Sequence, residues 1–204
     1  MSTPPAERPP SLRDRQRAQV RADIHAAAYQ LFAARGFGNV TTDDIAAEAS
    51  VSPRTFFRHV ATKEDLLLGA VQRGNAVIAS LLARRPADEP PDVALAAAIV
   101  SRVGSFDDVD LESWRAAILT APELLDRATL LSAADRDQMV ELVAARMGVD
   151  PADDGRPGLL VQLSFAAADF AFQQWVRERG ARRRPLASDV ADALAFVAHS
   201  RWEN

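Results

Sequence analysis

Cysteine is absent from the 204 residues, which excludes disulfides, thiolate metal sites and cysteine nucleophiles together. Histidine is nearly as scarce: His25, His59 and His199 are far apart in sequence and form no metal-spaced cluster. No nucleophile elbow and no phosphate loop occur, so an enzyme is the least favoured class. The segment with Asp150, Asp153, Asp154 and Gly155 is a poor calcium loop, because Ala152 takes a ligand position and Val161 stands where the closing glutamate belongs. No cofactor is expected. No apolar run approaches the roughly 20 residues of a bilayer crossing, and residues 1–10 are proline-rich without the apolar core of a signal peptide. A cytoplasmic protein without a membrane partner is the expectation.

Glycine is also sparse, at 9 residues, while alanine and leucine abound, which favours an all-α fold. A chain of 204 residues can bury a sizeable core, as one domain or as a small one joined to a larger. The net charge of −4 is unevenly spread. Residues 1–63 hold eight arginines and Lys63 against six acids, a balance of +3, which leaves −7 on residues 64–204. An acidic body with a mildly basic head suits a protein that meets phosphate with one end.

The chain is organised around residues 41–59. A short helix fits from about Asp43 to Ala49, with Thr42 as its cap and Asp43 and Asp44 at its positive start. A second fits from about Pro53 to His59, where Ser52 supplies a capping hydroxyl and Pro53 the first helical position. Ile45, Ala49, Val51 and Phe56 form an apolar seam, and Ala46 is small enough for a close crossing. The pattern reads as a helix-turn-helix whose second helix enters the major groove of DNA.

The wider series Arg21, Ile24, Ala27-Ala28, Leu31-Phe32, Gly36-Phe37, Thr41-Thr42, Ile45-Ala46, Ala49, Val51-Ser52, Thr55-Phe56, His59, Lys63 and Leu66 resembles the DNA-binding domain of the tetracycline-repressor family of bacterial transcriptional regulators. The resemblance covers about the first third of the chain. It implies an N-terminal three-helix DNA-binding domain and a larger helical domain for ligand binding and dimerisation, about nine helices in all. Two departures stand out: Ser50 replaces the family's turn glycine and so must accept positive φ, and Phe57 replaces a common tyrosine, removing a hydroxyl. The expected DNA-binding residues are Thr42, Ser52, Pro53, Arg54, Thr55, Phe57, Arg58, His59 and Lys63. Arg54 and Thr55 lie near the end that faces base edges, and arginine can bond guanine bidentately. Arg58, His59 and Lys63 suit phosphate, although packing competes for His59 and capping alone explains Thr42 and Ser52.

Domain bounds follow as a disordered basic arm over 1–16, the DNA-binding domain over 17–62 and the body over 63–204. Arg8, Arg13, Arg15 and Arg17 make this stretch either a solvated tail or an arm that follows the DNA backbone or reaches into the minor groove. The first helix is expected to start at or after Ser11 and run to Arg35, with Gly36 ending it in the left-handed conformation and Phe37 and Val40 as core. Thr62 and Asp65 make a capping box for a lever helix that reaches Arg84. Beyond a break at Pro86 to Pro91, helices are expected at about 92–104, 109–120, 122–147, 157–179 and 188–201.

Residues Leu159 to Val176 are apolar nearly all round, so this helix needs cover on more than one side. With the last helix it reads as a homodimer interface, a four-helix bundle across a two-fold axis; a monomer core is the alternative. An effector pocket would draw on Phe106, Trp114, Ile118, Met139, Val143, Phe165 and Trp175, with Gln162, Asp169 or Gln173 as polar anchors, although core packing explains the apolar members equally well. The stretch from Trp114 to Met147 resembles that of regulators of lipid-like or acyl-thioester ligands, which implies a largely apolar effector. The expected function is a transcription factor, a repressor released from a palindromic operator by a small molecule. A nucleic-acid binder without sequence preference, or an interaction protein, is the alternative.

Overall fold

The computed structural model describes residues 11–72, 74–105, 110–128, 133–178 and 184–199. Among these, eleven α-helices and one 3₁₀ turn account for all regular structure. Helix α1 (Leu12–Arg35) begins where Ser11 accepts from the Asp14 amide and the Asp14 carboxylate accepts from the Ser11 amide. It therefore starts inside the stretch assigned to the basic arm, of which residues 1–10 lie outside the described residues. Gly36 closes α1 at φ +81°, but its ψ of 143° lies outside the left-handed helical region that was expected. The backbone there is still one that favours glycine.

The 3₁₀ turn (Phe37–Asn39) leads into α2 (Thr42–Glu48) and α3 (Pro53–His59). Ile24, Phe32, Val40, Ile45 and Phe56 are buried together as the core of this head. The body comprises α4 (Asp65–Gln72), α5 (Gly74–Ala83), α6 (Pro91–Gly104), α7 (Leu111–Ile118), α8 (Pro122–Leu125), α9 (Ala133–Met147), α10 (Arg156–Arg177) and α11 (Leu186–His199). Helix α10 packs most extensively on α11 and also on α9, while α6 joins α5 to α11. No helix among the described residues is long and apolar enough to cross a membrane.

The expected lever is described as α4 and α5, helical on both sides of residue 73, which lies outside the described residues. The helix expected over 122–147 stops at Leu125, and α9 is described from Ala133. A contact distant in sequence accompanies that stop. Gln173 Nε2 donates to the Leu125 carbonyl at 2.9 Å, and the Ala128 amide bonds the same oxygen at 3.0 Å in a tightened turn. Both lone pairs of that oxygen are thus engaged where the helix ends.

Head and body share one continuous core. Helix α7 lies along α1, and two of the hydrogen bonds cross the junction. The Phe37 amide donates to Thr120 Oγ1 at 3.1 Å and Tyr29 Oη to the Leu66 carbonyl at 3.2 Å, while Trp114 Nε1 ties α7 to α4 through the Leu67 carbonyl at 2.8 Å. Buried polar groups need such partners, so these bonds fix how the two parts meet.

Candidate nucleic-acid interface

Helix α2 is capped by Thr41, not by Thr42. Thr41 Oγ1 accepts from the Asp44 amide at 3.1 Å, and the Asp44 carboxylate takes both the Thr41 amide and its hydroxyl. Spacing decides this: three residues after Thr41 stands an acid, whereas three after Thr42 stands the buried Ile45. Thr42 is the first helical residue and is half-buried. The Thr41 hydroxyl is also the main reason the Asp44 carboxyl lies below its ordinary range.

The turn then uses Ser50 at φ +54°, the strained position that the missing glycine implied. Ser52 caps α3 as expected, accepting from the Thr55 amide at 3.2 Å and donating to Thr55 Oγ1 at 3.0 Å. Pro53 follows at the first helical position. Ser52, Pro53, Arg54, Phe57 and Arg58 are exposed, while Thr55 and His59 are half-buried. Phe56 is wholly buried and meets the exposed Phe57 edge to face, with ring centroids 5.3 Å apart, so the outer ring is held by the core. Arg54 and Arg58 are one turn apart and share a face. The result is a rigid short helix presenting two guanidiniums and an aromatic ring.

Lys63 stands differently from its sequence neighbours. Its ammonium donates to the carbonyls of Phe37 and Val40, both at 2.9 Å, and lies 4.2 Å from the centre of the Phe37 ring. Two of its three donors are thus engaged in holding the 3₁₀ turn beneath the motif. His59 lies below its usual imidazole value, first because of burial and then because of Arg58, Arg21 and Arg17.

The residues expected to hold an effector do not form one site. Phe106 lies outside the described residues. Trp114, Ile118, Met139, Val143 and Phe165 are packed into the core, with the Trp114 ring 5.7 Å from that of Phe172. Trp175 instead lines a surface cleft of about 370 Å³ between α10 and α11, and its Nε1 donates to the Arg184 carbonyl at 3.2 Å. Asp169 is half-buried on α10, and Gln162 is exposed. Gln173 carries a buried Oε1 without a hydrogen-bond partner among the described residues. Thr41, Thr120 and the inward turn of Lys63 were missed; only Thr41 had a local signal, its spacing to Asp44.

Comparison with known proteins agrees with this geometry. The family described as bacterial regulatory proteins, tetR family, matches residues 24–70, and the MftR C-terminal domain matches residues 89–201. The HTH-type transcriptional regulator TcmR of Streptomyces glaucescens is 32% identical over 174 residues, covering 81% of this chain and 77% of that protein. A Mycobacterium tuberculosis protein assigned as the mycofactocin biosynthesis transcriptional regulator MftR is 30% identical over 167 residues, covering 80% and 83%. Among solved structures, SmeT, repressor of the Stenotrophomonas maltophilia multidrug efflux pump SmeDEF, has a TM-score of 0.54 at 20% identity, covering 87% of this chain and 89% of its own. The Thermus thermophilus repressor FadR, solved with lauroyl-CoA, has a TM-score of 0.51 at 20% identity, covering 90% and 96%. These two show the fold alone. From both ends of the chain the matches converge, and the protein belongs to the tetR family of bacterial regulatory proteins, DNA-binding transcriptional regulators rather than enzymes.

Proposed function

We propose that this regulator is a cytoplasmic homodimeric repressor that reads a palindromic operator through α3 and is released by a largely apolar small molecule. The observation that carries the reading is the rigid, capped α3, with Arg54, Phe57 and Arg58 facing outward from a buried Phe56. Arg54 takes a guanine edge, and Phe57 supplies apolar contact of the kind a thymine methyl accepts. Ser52 and Thr42 lie at helix starts, where backbone N–H groups favour phosphate.

Dimerisation is assigned to α10 and α11. Leu159, Leu163 and Phe170 recur along the outer face of α10, and Phe196 is exposed on α11. Large apolar side chains aligned this way suit a second copy across a two-fold axis. The effector is assigned to the body, where Trp114, Ile118, Met139 and Phe165, now packed in the core, would part to form apolar walls. Gln173 Oε1 offers a buried acceptor for one donor group of such a molecule. Asp169 and Trp175 border the same helix. Its influence on DNA affinity equals its preference for one arrangement of the heads over the other.

Selection of duplexes from a randomised pool, followed by Arg54→Ala on the selected sequence, tests the reading. Loss of roughly 1–3 kcal/mol with relaxed preference at one base is expected. Equal affinity of the native chain for selected and scrambled duplexes would favour the binder without sequence preference instead.

A further inference from the structure

Two of the chain's three histidines, distant in sequence, meet in the structure. His25 of α1 and His59 of α3 line one cleft of about 380 Å³, together with Arg21 of α1 and with Asp65 and Leu66 of α4. The cleft lies where α1, the end of α3 and the start of α4 come together, outside the body space assigned to the effector. Its two opposite charges are not spent on each other. The Arg21 side chain makes no ion pair and no hydrogen bond among the described residues, and Asp65 makes no ion pair among them either. Asp65 accepts the Thr62 amide on Oδ2 at 3.0 Å, while Oδ1 has no hydrogen bond among the described residues. Arg21 goes with His59, whose imidazole value it helps to lower after burial and Arg58. Asp65 goes with His25. It precedes Leu66, whose carbonyl accepts from Tyr29 Oη at 3.2 Å, and Tyr29 Oη bonds His25 Nδ1 at 3.0 Å. A phenol carries one hydrogen, so both bonds hold together only with Nδ1 as a donor, and the neutral ring then has Nε2 as its acceptor.

We propose that this cleft binds a small zwitterion, an α-amino acid with an apolar side chain, with its carboxylate on Arg21 and its ammonium on Asp65. A ligand with both charges pairs the two side chains at once and brings no net charge. An anion alone, phosphate included, would satisfy Arg21 and face the Asp65 carboxylate. A metal ion would do the reverse, and no group of three metal-ligating side chains occurs among the described residues. The buried Val60 and Leu66 give the side chain an apolar wall. The volume is at the small end of the roughly 300–1,000 Å³ typical of ligand sites, which suits a molecule of amino-acid size and not a long acyl chain. Its occupant touches α1, α3 and α4 together, and the site does not depend on how α3 meets DNA.

The test uses the full chain without DNA and L-leucine as the probe. Isocaproate, which is leucine without its amine, and isoamylamine, which is leucine without its carboxylate, are titrated beside it. Histidine ring resonances read the site directly, and the exposed His199 on α11 is the internal reference. Leucine should shift the His25 and His59 signals saturably, at one molecule per chain, and leave His199 in place. Each half-molecule should bind at least about 10-fold more weakly, the worth of one charge-assisted bond. Arg21→Gln should weaken leucine by a similar factor without changing isoamylamine. Asp65→Asn, which keeps an acceptor for the Thr62 amide, should weaken leucine without changing isocaproate. No saturable shift at millimolar leucine overturns the proposal. So does equal binding of leucine and isocaproate, which would make the cleft a site for anions only. Loss of both half-molecules in either variant overturns it as well, since that side chain would then only shape the fold.

Discussion

Lys63 is the only lysine in the chain, and its position in sequence suggests phosphate while its ammonium sits on the carbonyls of Phe37 and Val40. Charge-assisted bonds to half-buried carbonyls stabilise by about 1.5–3 kcal/mol. Lys63→Met should therefore lower the thermal midpoint by several degrees and leave the salt slope of DNA binding nearly flat between variants. A slope lowered by about one unit with stability intact would instead assign the side chain to phosphate. His59 makes the second prediction. Its folded value lies below the ordinary 6.5 because of burial and three arginines. The unfolded chain thus holds the proton more tightly, and this residue's contribution to stability is present above about 6.5 and lost as pH falls through the folded value. A phosphate placed beside His59 acts oppositely, raising its value in the complex. DNA affinity should therefore rise as pH falls through the window between the free and bound values, and His59→Gln should flatten that profile.

At the scale of elements, α2 and α3 were legible because local chemistry specifies both. Ser52-Pro53 marks one start, and the turn is short enough to be set by Ser50 alone. The cap of α2 was misplaced by one residue because Thr41 and Thr42 are alike until the spacing to Asp44 is weighed. Thr41→Ala should cost the head about 1 kcal/mol, and Thr42→Ala should cost clearly less, as chemical denaturation would show. In acid the same cap weakens: Asp44 is held below its ordinary range, so its stabilisation is present above about 3.8 and lost as pH falls through the lowered folded value. The division of the expected helix over 122–147 was not legible. The contact at its end, Gln173 meeting the Leu125 carbonyl, joins residues 48 apart in sequence, beyond any periodicity. Phe165, Met139 and Ile118 were legible as apolar positions but not as core rather than pocket, since both demand the same residue types.

Across the whole molecule, the head is bound to the body at Thr120 and Leu66, and Trp114 ties α7 to α4 at Leu67, so hydrogen bonds as well as packing join the elements on either side of the junction. The outer apolar face of α10 is the other large-scale feature. Phe170→Glu places a charge at a residue that is 64% exposed, so the protomer should fold and fail to pair. Ala171, one residue on, is buried in the protomer, and a charge there should unfold it instead. Sedimentation separates the outcomes, and a Phe170→Glu variant that remains dimeric removes this face from the interface. The central claim, two α3 helices reading one duplex as a symmetric pair, is tested most directly by the spacing of half-sites. Native protein should bind its selected duplex as one dimer, and inserting about five base pairs, half a helical turn, between the half-sites should reduce affinity at least 100-fold by turning one half-site to the far side. Unchanged affinity for the respaced duplex would contradict it.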